Sequence, residues 1–213
     1  MVNPASLQAI APIRVPVPVR GRAYVHELKF DGFRGVVCIG DDEPVVYSKR
    51  GHPFARFAQL GREVAAALAG RTAILDGEIV CLDANGRPDF AALMSRRGTP
   101  VYAAFDLMAL DGQDLRALPL LERKRRLRRL VRHDGPALRY VPHVRCDGAD
   151  FFRAACALDL EGIVSKPADS PYVCAPSPWR KTLNPTYSQK SEARFELFTR
   201  PRRLAVGASP AAR

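Results

Sequence analysis

Lysine is scarce in this sequence. Of its 33 basic residues only six are lysines, Lys29, Lys49, Lys124, Lys166, Lys181 and Lys190. Arginine serves phosphate contacts and solubility, but its guanidinium stays protonated, so a site that needs a nucleophilic amine must draw on these six. Also lacking are a Gly-rich loop ending in Gly-Lys-Ser/Thr, a Gly-x-Gly-x-x-Gly after a strand, and a His pair at zinc-ligand spacing. Kinase, dehydrogenase and metalloprotease chemistry lose their support. The five cysteines, Cys38, Cys81, Cys146, Cys156 and Cys174, form no Cys-x-x-Cys pair and sit in apolar or mixed stretches. They read as reduced, buried thiols and suit a cytoplasmic setting. No stretch approaches bilayer length and Met1 to Ala11 has no basic start before an apolar run, so neither membrane insertion nor secretion is expected.

What is present is a chain of 213 residues, 47% hydrophobic, with a formal charge of +11. That length and apolar content allow a real core. The charge favours capture of a polyanion, nucleotide or nucleic acid, although a genome that prefers Arg and Ala codons accounts for part of it. Residues 1–22, rich in Pro and Val, read as an extended segment lying along the surface. Short apolar runs predict strands from Tyr24 to Leu28, Gly35 to Ile39, Val45 to Ser48, Ala73 to Leu75, Ile79 to Leu82 and Val101 to Met108. Phe57, Leu60, Val64 and Leu68 recur at helical spacing with Gly70 just past the end. Pro119 to Arg132 reads as a basic amphipathic helix whose charged face is solvated or, as the alternative, faces DNA. A further helix from Asp150 to Leu158 precedes strands at Ile163 to Lys166 and Trp179 to Leu183. From Tyr24 onward a mixed sheet with helices packed on it is expected, followed by a basic disordered tail over 191–213.

The segment that carries chemistry is Glu27-Leu28-Lys29-Phe30-Asp31-Gly32-Phe33-Arg34, a strand ending in a lysine, a carboxylate, a glycine turn and an arginine. Four more segments follow in order: Ser48-Lys49-Arg50-Gly51, Leu75-Asp76-Gly77-Glu78-Ile79-Val80, Phe105-Asp106-Leu107-Met108 and Glu161-Gly162-Ile163-Val164-Ser165-Lys166. Trp179-Arg180-Lys181-Thr182-Leu183-Asn184 matches in part. Together they resemble the covalent nucleotidyltransferase (adenylation) domain of ATP-dependent DNA ligases, especially the bacterial end-joining type, from about Ala23 to Pro185.

The resemblance implies an α+β domain over residues 23–190 with mostly antiparallel sheets and flanking helices, ATP and Mg²⁺ (or Mn²⁺) as cofactors, nicked double-stranded DNA as substrate, and Lys29 as the residue that takes AMP covalently. Attack on the α-phosphorus needs a neutral amine, and neighbouring cations favour one. By resemblance Lys166 and Lys181 supply those cations and touch the α-phosphate. Glu161, with Asp31, is the expected metal ligand set, since hard cations choose carboxylate oxygens. Glu27 and Leu28 are carried over as nucleotide contacts, Arg34 and Glu78 as ribose contacts, and Phe105 as the ring stacked on adenine. Phe105 has a plainer reading as core, alternating with Val101, Ala103 and Leu107 on one strand face.

The pattern departs from the family at Leu183, where a second lysine is usual, and at Lys49, where arginine is. Pro167 and Tyr172-Val173-Cys174 also stand where basic residues are expected. Only 23 residues follow Lys190, too few for an OB-fold. The expectation is a monomeric, lone catalytic domain with weak sealing, or with an OB-fold or end-joining protein supplied in trans. A catalytically weakened nucleotide- or DNA-binding relative is the alternative. RNA ligation or cap formation ranks last, because the connecting stretches His26-Glu27-Leu28, Gly86-Arg87-Pro88-Asp89-Phe90 and Leu120-Leu121-Glu122-Arg123-Lys124 look like those of DNA ligases.

Overall fold

The computed structural model describes residues 8–189. Lys190, the tail over 191–213 and residues 1–7 of the N-terminal segment lie outside the described residues.

Two sheets form the frame. The smaller holds four strands in the order β1 (Ile13–Arg14), β10 (Arg180–Leu183), β9 (Gly162–Pro167) and β2 (Tyr24–Leu28). The larger runs β4 (Val45–Ser48), β3 (Phe33–Ile39), β5 (Ala73–Val80), β6 (Val101–Leu110) and β7 (Gln113–Asp114), with β8 (Leu138–Tyr140) also paired to β6. Pairing is antiparallel except for β1 with β10 and β6 with β8. This is the α+β, mostly antiparallel architecture that the resemblance implies.

Strand alternation gives the larger sheet two apolar faces. One carries Val37, Leu75, Ile79, Tyr102 and Leu107 and packs against α1 (Ala58–Ala67) and α3 (Leu120–Leu130). The helix-spaced Phe57, Leu60, Val64 and Leu68 all bury there. The other face carries Val36, Ile74, Val80, Ala103 and Phe105 and meets Trp179, Tyr172 and Ile10. A third cluster seats α4 (Gly148–Ala157) on the small sheet through Ala155, Leu160 and Ile163. A short helix, α2 (Phe90–Ser95), starts where the Asp89 carboxylate accepts the Ala92 N–H at 2.8 Å. No helix among the described residues is long and apolar enough to cross a membrane.

Several sequence expectations are corrected. Ala73 to Leu75 and Ile79 to Leu82 form parts of one strand rather than two. The Asp76-Gly77-Glu78 segment does not break it, because Asp76 has buried partners and Tyr102 fills the space a Cβ on Gly77 would need. Phe105 and Leu107 do not share a face. Register shifts between β5 and β6 leave Phe105 and Met108 as extra residues, so Leu107 turns to the helix-covered side. The face of α3 is not wholly solvated: Arg123 and Lys124 are both 0% exposed. Buried carboxylates supply the reason, with Asp106 gripping Arg123 through both oxygens and Glu27 meeting Lys124. The N-terminal segment does more than line the surface, since Ile10 is 1% exposed and Ile13–Arg14 adds a strand. Of the five free thiols only Cys38 and Cys81 are buried, and Cys146 is exposed.

Candidate active site

The two sheets splay around a cavity of about 720 Å³. Sheet ends and the turns beyond them deliver its lining. The smaller sheet and its flanks bring Pro12, Leu28, Lys29, Val164, Lys166, Trp179 and Lys181. The larger brings Arg34, Ser48, Lys49, Arg50, Glu78 and Phe105. Four of the five described lysines therefore face one hollow, and the fifth, Lys124, lies directly behind it against Glu27. Excess positive charge in a partly enclosed space selects anions such as a triphosphate.

Lys29 follows β2, and its backbone N–H donates to the Gly162 carbonyl at 2.9 Å. Its Nζ donates to Glu161 Oε2 at 2.5 Å, with both side chains about four-fifths buried, at 22% and 19% exposure. Glu161 is fixed from behind: its carbonyl accepts the Asn184 N–H, while the Asn184 side chain donates to the Leu160 carbonyl. Gly162 makes this closeness possible. It sits at φ +142°, and a Cβ there would lie 2.1 Å from the Thr182 carbonyl oxygen on β10. Gly32 plays the same part at the other side of Lys29, where a Cβ would meet the Ile79 carbonyl oxygen at 2.2 Å.

Burial pushes the Glu161 carboxyl up, against the pull of Lys29 and Lys181. Asp31 is also pushed up by burial, opposed by Lys29 and by a hydrogen bond from Tyr187. Burial lowers Lys181, and the nearby Lys29 and Lys49 lower it further. Glu78 is raised to about 7, mainly by burial, with Arg34 and Lys29 resisting.

Arg34 stands opposite Glu78 across β3 and β5, yet its guanidinium grips Asp76 diagonally, Nε to Oδ1 and Nη2 to Oδ2, both at 2.6 Å. Tyr172 donates its hydroxyl to the same carboxylate at 2.6 Å, and Nη2 of Arg34 also donates to the Ile10 carbonyl. The guanidinium lies 4.5 Å from the Phe105 ring centroid. Lys166 is 1% exposed, 2.6 Å from Glu27 Oε2, and its Nζ lies 4.0 and 4.4 Å from the ring centroids of Trp179 and Phe105. Burial lowers it to about 8, opposed by Glu27.

The structure thus brings Glu27, Leu28, Lys29, Arg34, Glu78, Phe105, Lys166 and Lys181 to the lining of one cavity. Asp31 and Glu161 lie beside Lys29 just outside the lining set. Leu183 and Arg180 do not join them; Arg180 donates to the Ser177 and Trp179 carbonyls instead. Sequence reasoning missed Asp76, Tyr172, Tyr187, Asn184 and Lys124. Asp76 and Asn184 stood inside the quoted motifs and Lys124 inside a matching connecting stretch, but nothing local distinguishes Tyr172 and Tyr187.

Comparison with known proteins identifies the family. The family model for the ATP dependent DNA ligase domain matches residues 17–182. The chain belongs to that family. It is 37% identical over 164 residues to the multifunctional non-homologous end joining protein LigD of Pseudomonas aeruginosa, covering 74% of this chain and 19% of that protein. It is 33% identical over 181 residues to the SPbeta prophage-derived DNA ligase-like protein LigB of Bacillus subtilis, covering 81% and 65%. Among solved structures, mycobacterial DNA ligase D complexed with ATP and MES superposes with a TM-score of 0.76 at 28% identity, covering 84% of this chain and 60% of that one. The chain therefore spans less than two thirds of the length of each of these relatives.

Proposed function

We propose that the chain, with residues 23–190 as its catalytic domain, uses ATP to form a lysyl-AMP on Lys29 and passes the adenylate to the 5′-phosphate of a nick in duplex DNA. The observation that carries this reading is the contact of Glu161 with Lys29 at the edge of a cavity that Lys29 lines together with Lys49, Lys166 and Lys181. In the first step the Glu161 carboxylate takes the proton of the Lys29 ammonium. The freed amine attacks the α-phosphorus, the bond from that phosphorus to the bridging oxygen breaks, and pyrophosphate leaves. Lys166 and Lys181, with Lys49, hold the phosphate charge while Arg34 and Glu78 meet the ribose and Phe105 offers its ring to the base. A 3′-hydroxyl then displaces AMP from the activated 5′-phosphate and closes the strand.

Asp31 and Glu161 suit a hard divalent cation such as Mg²⁺ or Mn²⁺, because both are carboxylates held beside Lys29, whose ammonium already occupies a cation's place against Glu161. Among the described residues no group of three or more His, Cys, Asp or Glu side chains converges, so the remaining ligands fall to phosphate oxygens and water. Bound there, the cation would neutralise charge developing on the phosphates. Five free thiols suit a reducing cytoplasm.

The test is incubation with Mg²⁺ and ATP labelled at the α-phosphate, followed by denaturation. Label is expected on the protein and absent from Lys29→Ala. Equal labelling of that variant, or none of the parent with either metal, would overturn the assignment. Sealing of nicked duplex DNA against nicked RNA then tests the substrate.

A further inference from the structure

The cavity has a charged wall backed by a lysine, Lys124, to which the proposed mechanism gives no role. Glu27, on β2, is 2% exposed, and its two oxygens are divided between two ammoniums. Oε1 lies 2.6 Å from Lys124 Nζ and Oε2 lies 2.6 Å from Lys166 Nζ. Lys124 is anchored independently, donating to the Val141 carbonyl at 3.0 Å and the Phe105 carbonyl at 3.3 Å, with the Tyr140 ring 4.8 Å away. Lys166 has no such anchor. Its Nζ misses hydrogen-bond alignment with every described group, so it is held by the ionic contact to Glu27 and by the faces of Trp179 and Phe105. Lys166 and Glu27 line the cavity, whereas Lys124 reaches the same carboxylate from α3 behind it.

A lone Glu27 to Lys166 pair would be neutral and would offer a nucleotide no net attraction. The second ammonium changes the sum: one carboxylate between two cations leaves the wall at +1. We propose that Lys124 is a positioning residue for nucleotide binding, occupying one oxygen of Glu27 so that the other fixes Lys166 at the cavity wall without cancelling its attraction for the phosphates. This rests on the reading of the cavity as the ATP site. The groups that face Lys166 are Glu27 from β2, Lys124 from α3, Asp106 from β6, His143 beyond β8, and Arg34 from β3 across the shared Phe105 ring. Of these, Glu27 and Asp106 favour its charge and Lys124 opposes it.

The experiment uses the full chain with ¹³Cε-labelled lysine, which six lysines make readable, and Lys166→Arg to assign the resonance. Lys124→Met keeps the volume and removes the charge; the Lys166 midpoint should rise by about one pH unit, and ATP affinity at neutral pH should fall about tenfold. Glu27→Gln should move the midpoint the opposite way. Lys124→Arg should hold both midpoint and affinity near the parent, and it carries the test if the Met variant does not fold. Midpoints that stay put, or that move together in the Met and Gln variants while the parent binds ATP, would overturn the role of Lys124. Midpoints that move as stated in a parent that binds no ATP would instead strike the ATP reading.

Discussion

The Lys29 ammonium rests 2.5 Å from Glu161 Oε2, joining two segments 132 residues apart in the chain. In the proposed mechanism this contact pairs the nucleophile with its proton acceptor. General-base assistance of this kind contributes about 10²- to 10⁴-fold. Glu161→Gln is therefore expected to slow formation of the labelled protein by roughly 10²-fold or more, while Lys29 remains the labelled residue. A time course with α-labelled ATP measures it, and an unchanged rate would remove Glu161 from the proton path.

Glu78 gives the protein a pH-dependent stability whose sign can be stated. Burial raises its folded-state pKa to about 7 from the ordinary 4.5, so between those values the folded form holds a proton that the unfolded form has lost. Its favourable contribution is complete below 4.5 and disappears as pH climbs through 7. Glu78→Gln should flatten this dependence. Thermal melts from pH 5 to 8 should show the parent losing ground to the variant as pH rises; parallel curves would contradict the assignment.

Asp76 is 0% exposed and answers Arg34 with both oxygens while accepting from Tyr172. Asp76→Ala strands a buried guanidinium, which costs about 3–5 kcal/mol. Tyr172→Phe removes two hydrogen bonds, the one it donates to Asp76 and the one it accepts from the Ile10 N–H, and should cost about 1.5–3 kcal/mol or more. Denaturant titration reads both. The Tyr172 variant should retain label on Lys29, because the hydroxyl touches Asp76 and not the cavity.

Much of the fold was legible because periodicity is local. The Phe57, Leu60, Val64 and Leu68 stripe marked α1, and β2, β4 and β9 fell within a residue or so of the apolar runs that predicted them. What escaped depended on partners far along the chain. The shift that separates Phe105 from Leu107 arises in the pairing of β5 with β6. The short β8 exists because it pairs with β6, and β1 because it pairs with β10. The burial of Arg123 and Lys124 was hidden for the same reason: on a helix so rich in arginine, a cation with a buried carboxylate waiting for it looks like any other.

The sequence by itself settled which amines were available and in what order the motif segments came, because residue types and spacings are properties of the covalent chain. It could not say that Lys29 meets Glu161, that Asp76 holds Arg34, or that one carboxylate serves Lys124 and Lys166. Those pairings were decided by tertiary structure. A charge finds its partner through space and through loss of water, and both depend on how the two sheets and α3 close around the cavity.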